Sequence, residues 1–140
     1  MVPQQLLLIN NHGPHTVVHD VKAALASAVR GSNESREQVL DRVNSLARRY
    51  GFKLSGSAGL SKDMLDKWLN VEDDSRVPGL KGLVLLMEAL CTTEPLDALA
   101  RSVGAKVISG EDIILLELAK AQQESKKLRK KMRKLEEELR

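Results

Sequence analysis

The stretch Ser61-Lys62-Asp63-Met64-Leu65-Asp66-Lys67-Trp68-Leu69-Asn70 decides how the rest of the chain is read. On a helix, Met64, Leu65, Trp68 and Leu69 fall at i, i+1, i+4 and i+5 and make one apolar stripe, while Lys62, Asp63, Asp66 and Lys67 share the opposite face. Ser61 stands where an N-cap belongs. One side is therefore expected to pack, and the other is free to read a partner. The single Trp of the chain lies on the packing stripe, where it is the natural anchor of a core with almost no other aromatic support.

Composition agrees with a small helical protein. The 140 residues suit one domain with an appendage, and 42% hydrophobic but only 2% aromatic residues leave Leu, Val, Ile and Ala to build the core, which favours packed helices over a sheet. Cys91 is the only cysteine, so no internal disulfide is expected, and its neighbours Ala89 and Leu90 predict a core position. A lone thiol fits a reducing compartment. No apolar run approaches the roughly 18 to 20 residues of a membrane span, and the amino terminus lacks a secretory pattern, so a soluble, cytoplasmic protein without a membrane partner is expected. The formal charge of +3 and a pI near 9.1 permit a nucleic-acid partner without demanding one.

Working outward, residues 1–19 read as an N-terminal arm. Leu6-Leu7-Leu8-Ile9 before Asn10-Asn11-His12-Gly13-Pro14 fits a short strand or docking segment ending in a turn, and equally a mobile arm. His12, His15 and His19 lack an acid or thiol at ligand spacing, so no metal is assigned. Val21, Ala24, Leu25, Ala28 and Val29 predict a first helix, with Asp20 as N-cap and Gly31 as stop. Ser35-Arg36-Glu37-Gln38 is a capping box opening a second helix, with Val39, Leu40, Val43, Leu46 and Ala47 behind it and Gly51 at its end. The segment from Lys53 to Gly59 is a Gly/Ser loop leading to the Ser61 helix. A polar loop closed by Pro78-Gly79 precedes a fourth helix carrying Leu80, Leu83, Val84, Leu86, Met87 and Leu90. Thr93 and Pro95 start a fifth, with Leu96, Leu99, Ala100 and Val103 and an end at Gly104; Lys106-Val107-Ile108 reads as an extended link.

Ser109-Gly110-Glu111-Asp112 is a second capping signature, and residues 113–140 contain neither Gly nor Pro. A helix of that length reaches about 42 Å, more than a small domain covers. Ile114, Leu118, Ala121, Ser125, Leu128, Met132, Leu135 and Leu139 alternate at spacings of four and three, a coiled-coil seam in which Leu118, Leu128, Met132, Leu135 and Leu139 carry dimerisation. With Leu128 at d, a parallel partner brings Glu124 opposite Arg129 and Lys131 opposite Glu136, both attractive. Lys126, Lys127, Arg129, Lys130, Lys131, Arg133 and Lys134 form a run without an acid. Two readings of the run stand: the solvated outer face of a coiled coil, or phosphate contacts in addition.

The order helix, capped Ser-Arg-Glu-Gln helix, Ser61–Trp68 helix and two further short helices resembles the lambda-repressor-like, Cro-type helix-turn-helix domain. Glu34-Ser35-Arg36-Glu37-Gln38, Leu65-Asp66-Lys67-Trp68-Leu69 and Glu94-Pro95-Leu96-Asp97-Ala98-Leu99-Ala100 look more narrowly like small regulatory proteins of Mu-like transposable phages and their prophages. The resemblance covers residues 20–108 and implies an all-α fold: a compact five-helix DNA-binding domain over 20–108, then a long coiled-coil dimerisation helix over 109–140. It implies double-stranded DNA as partner, a homodimer or higher homo-oligomer, and a third helix in the major groove. Ser35 and Arg36 map to phosphate contacts, and Ser61, Lys62, Asp63, Asp66 and Lys67 to the reading helix. The sequence departs from that pattern in its long link between the second and third helices, with Arg48, Arg49 and Lys53 on or beside it as further candidate phosphate contacts.

Residues 1–110 hold 13 Lys and Arg against 12 Asp and Glu, a net charge of only +1, so one copy would hold DNA weakly and two would read an inverted repeat. An enzyme is not expected: no nucleophile with its base, metal spacing or phosphate-cradling loop appears, and neither a cofactor nor a small-molecule ligand is implied. The competing reading is a helical coiled-coil adaptor that binds a partner protein without DNA.

Overall fold

Local capping signals decide where two helices of this chain begin. In the computed structural model, which describes residues 12–54 and 59–140, all regular structure is helical. A short 3-10 turn, Pro14–Thr16, leads into α1 (Val17–Gly31); α2 (Arg36–Tyr50), α3 (Lys62–Leu69), α4 (Leu80–Leu90), α5 (Glu94–Ser102) and α6 (Glu111–Glu138) follow. The predicted Leu6–Ile9 segment and residues 55–58 of the Gly/Ser loop lie outside the described residues. No described helix is long and apolar enough to cross a membrane.

The capping box opens α2 as expected: Gln38 N–H donates to Ser35 Oγ at 3.2 Å, and Ser35 N–H donates to Gln38 Oε1 at 2.9 Å. Gly51, in the left-handed region at φ 72°, ends the helix. Ser61 caps α3 by accepting from Met64 N–H at 3.2 Å. Two other predicted starts are corrected. α1 opens four residues before Val21, with Thr16 as N-cap, so Asp20 lies inside the helix and accepts from Thr16 Oγ1 at 2.9 Å and from the ring of His12 at 3.0 Å. Burial of Asp20 works to raise its pKa, but the His12 and Thr16 hydrogen bonds and the nearby His charges outweigh it and hold the carboxyl below its ordinary value. At α6 it is Gly110, not Ser109, that precedes the first turn, and no side chain caps it.

Helices α1 to α5 share one core, built from Val21, Leu25 and Val29 of α1, Val39, Val43 and Ala47 of α2, Leu65, Trp68 and Leu69 of α3, Leu83, Leu85, Leu86 and Ala89 of α4, and Ala98 of α5, with Leu60 closing the link. α1 packs most extensively on α5 and α2 on α4, while α3 lies against both α1 and α2. The predicted stripe of α3 is the buried one. That of α4 is rotated: Leu85 is fully buried, whereas Leu80 and Val84 face outward at 81% and 44% exposure. Residues 83–87 are apolar all round, so periodicity cannot choose a face. The choice follows from Gly82, where a Cβ would stand 2.6 Å from Cη2 of Trp68; the indole occupies the space a side chain would need.

A further correction at α5 arises because a short helix buries only the side its neighbour covers. On α5 the buried side is Pro95, Ala98 and Ser102, and Leu96 and Val103 are exposed. Cys91, expected in the core, is an exposed free thiol just past α4 at φ 51°, where its N–H closes the helix. The stretch after α5, residues 105–109, has no regular structure, as expected of a link, and Val107 N–H donates to Asp97 Oδ1 at 3.1 Å.

The chain divides into two units after Val107. The second, Ile108–Arg140, contains α6, a continuous helix of 28 residues with no buried side chain.

The Trp68–Gly82 contact predicts an inverted substitution effect. Gly82→Ala, which in an open helix would gain up to about 1 kcal/mol, should instead lose about 1–2 kcal/mol through overpacking against the indole. The urea unfolding midpoint reads the sign directly, and a stabilised variant would mean that the ring does not fill this space.

Candidate nucleic-acid interface

α3 is held at both ends by side chains of other elements. At its start, Asn44 of α2 clasps the backbone of Leu60: its Nδ2 donates to the Leu60 carbonyl at 3.0 Å, and its Oδ1 accepts from Leu60 N–H at 2.8 Å. Gly59, at φ 79°, permits this approach, since a Cβ there would meet Asn44 Oδ1 at 2.8 Å. The link thus reaches α3 through a fixed point one residue before its N-cap.

At its end stands Lys22 of α1, a lysine with no exposed surface. Its ammonium donates to the carbonyls of Lys67 at 3.0 Å, Asn70 at 3.2 Å and Asp73. All three N–H donors of the ammonium are used, and the cation stands where the helix dipole is negative; the Lys67 and Asn70 carbonyls accept backbone N–H groups as well, from Asn70 at 3.3 Å and Asp73 at 3.2 Å. Arg42 of α2 serves α4 in the same way, donating from Nη1 to the Ala89 carbonyl at 2.6 Å while pairing with Glu34. Lys22, Arg42 and Asn44 were not among the residues singled out from sequence. A signal existed for Lys22, which is in line with Leu25 and Val29 at i+3 and i+7 on the buried side of α1.

Fixed in this way, α3 turns Lys62, Asp63, Asp66 and Lys67 away from its buried stripe, and Lys62 and Asp66 reach the first turn of α2. Arg36 Nη1 meets Asp66 Oδ1 at 2.6 Å, Lys62 Nζ meets Glu37 Oε1 at 2.5 Å, and Lys67 Nζ meets Asp63 Oδ2 at 3.2 Å along the helix. Ser35, Arg36, Ser61, Lys62, Asp63, Asp66 and Lys67 are therefore gathered at the α2–α3 start, joined by Glu37, which sequence reasoning did not assign. Three cations face three carboxylates, so the patch is polar, half-exposed and electrically balanced. The hydrogen bond from Lys62 holds Glu37 below the ordinary carboxylate range, and that to Glu37 raises Lys62. The pair is thus intact above the usual carboxylate pKa and opens as pH falls through the depressed value of Glu37.

Arg48, Arg49 and Lys53 are not part of this patch. Arg48 lies about 18 Å along α2 from Arg36, at 1.5 Å per residue. That end of the helix is tied to α4, through Tyr50 Oη donating to Glu88 at 2.7 Å and Lys81 Nζ standing 5.4 Å from the centre of the Phe52 ring. All three cations are exposed.

A separate open groove of about 400 Å³ runs beside α1 and α5, lined by His12, His19, Asp20, Thr92, Glu94 and Arg101 among others. Among the described residues no group of three or more His, Cys, Asp or Glu side chains gathers as a metal site. On α6 the five residues assigned to dimerisation are exposed by 53% at Leu118, 61% at Leu128, 59% at Met132, 51% at Leu135 and 88% at Leu139.

Comparison with protein-family models, curated proteins and solved structures finds no match to the chain.

The buried ammonium gives a direct test of how α3 is held. Lys22→Met keeps the aliphatic stem but removes the donor that three carbonyls share, leaving that of Asp73 without a partner among the described residues, and should cost about 1–3 kcal/mol. Amide exchange should quicken around Lys67 to Asp73 more than in α5. Unchanged stability and exchange would show that the ammonium does not hold this end.

Proposed function

We propose that this protein is a sequence-specific double-stranded DNA-binding transcriptional regulator of the lambda-repressor-like helix-turn-helix kind, of phage or prophage type. It acts as a dimer that presents α3 to the major groove. The observation that carries the reading is the polar patch where α2 and α3 begin: a Ser-capped helix, packed by Leu65, Trp68 and Leu69, offers Lys62, Asp63, Asp66 and Lys67 beside Arg36. A Lys can donate to guanine O6 or N7 and a carboxylate can accept from the cytosine amino group, so such a face can discriminate base pairs. Its ion pairs are solvent-exposed, and contacts of that kind contribute little to stability, so they can exchange for base and phosphate contacts at small cost.

The balanced charge of the patch also supports the dimer. A face with no net cation draws little on the phosphate field, and two copies on an inverted repeat double what one provides. The exposed seam of α6 supplies the pairing surface, and its g and e positions, Glu124 with Arg129 and Lys131 with Glu136, attract in a parallel, in-register pair.

Two measurements test this. In gel-shift titrations against fragments of the neighbouring genome, the wild-type chain should select particular fragments, and Lys62→Ala combined with Lys67→Ala should lose that selection by about 10-fold or more while keeping its helicity. Absence of any selection by the wild-type chain would favour the adaptor reading instead. Removing residues 120–140 should convert dimers to monomers in sedimentation equilibrium; a truncated chain that stays dimeric would place the interface elsewhere.

A further inference from the structure

The strongest uncompensated charge in the described chain is on α6, not on α3. Lys126, Lys127, Arg129, Lys130, Lys131, Arg133 and Lys134 are all exposed, and among the described residues none of them forms an ion pair. At α3, by contrast, Lys62 and Lys67 are each matched by a carboxylate, as is Arg36 beside them.

The helix geometry orders these cations. At about 100° per residue, Lys126, Lys127, Lys130, Arg133 and Lys134 fall within an arc of about 120°, along a strip about 12 Å long. Leu128, Met132, Leu135 and Leu139 fall on the opposite side. In heptad terms the five cations occupy b, c and f, while Arg129 and Lys131 occupy the e and g positions beside the seam. Pairing through the seam therefore leaves the five-cation strip facing outward.

A solvated outer face does not account for this pattern. Such faces alternate signs so that a Glu precedes a Lys by four residues. Here 126 with 130, 127 with 131, 129 with 133 and 130 with 134 are like-charged pairs at that spacing, each unfavourable for an isolated helix. The acids that follow, Glu137 after Arg133 and Glu138 after Lys134, stand in the weaker of the two orientations. A regular row of external anions relieves the repulsion. Duplex DNA presents one charge per about 1.7 Å of its axis, and a rigid cationic strip matches that better than a compact ligand would.

We infer that the outward strip Lys126, Lys127, Lys130, Arg133 and Lys134 of α6 is a second nucleic-acid contact, one that binds the phosphate backbone of duplex DNA without regard to sequence. This goes beyond the base-reading role proposed for α3 and does not require it. The strip supplies the attraction that the balanced α2–α3 patch lacks, and the seam behind it stays closed on a second copy. A bilayer is a poorer occupant: the apolar stripe is narrow, and the charges flanking it suit a matching helix.

The test uses the full-length chain and a random-sequence duplex of about 30 base pairs, titrated at several salt concentrations. A variant with all five residues changed to Gln keeps the seam, and sedimentation and circular dichroism establish that it remains paired and helical. Its affinity for the random duplex should fall at least about 10-fold at low salt. The slope of log K against log salt should become shallower by up to about 4.5 for each α6 engaged, at about 0.9 per phosphate contact. Exchanging the four lysines for Arg and Arg133 for Lys should preserve binding. An unchanged slope in the Gln variant overturns the inference, as does wild-type binding to phosphatidylserine vesicles with none to the duplex. The two proposals separate cleanly. If Lys62→Ala with Lys67→Ala leaves random-duplex binding intact and the Gln variant abolishes it, the α6 contact stands even where no fragment is ever selected.

Discussion

A buried ammonium fixes the geometry of this small domain. Lys22 sits in the core with its charge against three carbonyls at and after the end of α3, contributed by residues 45 to 51 positions away in the chain. Removing such a charge from water is expensive, and the arrangement holds because every donor finds an acceptor at the negative end of a helix. Arg42 repeats the device at the end of α4. Two helices thus have their negative ends met by cations from helices packed across them. The direction in which α3 points is therefore fixed by α1 as well as by its own apolar stripe.

That constraint has an electrostatic consequence. Cations committed inside the domain cannot attract a polyanion, and those left on the α2–α3 surface are matched one for one by carboxylates. A surface of that kind is suited to discrimination, since each ion pair is weakly held and must be replaced by something of matching polarity. It is poorly suited to long-range attraction. The longest run of unmatched positive charge is in the other unit, on a helix with no buried side chain. On the proposed reading, selection and attraction are assigned to separate parts of the chain, which lets either vary without disturbing the other.

What the sequence made legible was what is decided locally. Ser35 with Gln38, and Ser61 with the amide of Met64, act within one turn, so both helix starts could be read from neighbouring residues. The stripe of α3 was legible because its polar face is continuous. The face of α4 was not, because residues 83–87 are apolar in every direction and only the Trp68–Gly82 contact selects Leu85 over Leu80 and Val84. Cys91 looked like a core residue by its neighbours, yet it stands one position past the helix, where the chain turns outward. The partners of the polar patch were hidden for a related reason: Glu37 and Lys62 are 25 positions apart, and nothing in either segment announces the other. Lys22 reads as a polar interruption until the three carbonyls that receive it are placed.

The clasp between Asn44 and Leu60 bears on the length of the α2–α3 connection, which is long for the helix-turn-helix reading proposed above. Because α3 takes its starting point from Asn44, and α2 closes at Gly51 with Phe52 N–H returning to the Ala47 carbonyl at 2.8 Å, both ends of the connection are anchored independently of what lies between them. Lengthening a loop between fixed ends adds closure entropy only slowly, about 0.6 kcal/mol for each doubling. Residues added to or removed from this connection should therefore have little effect on the placement of α3.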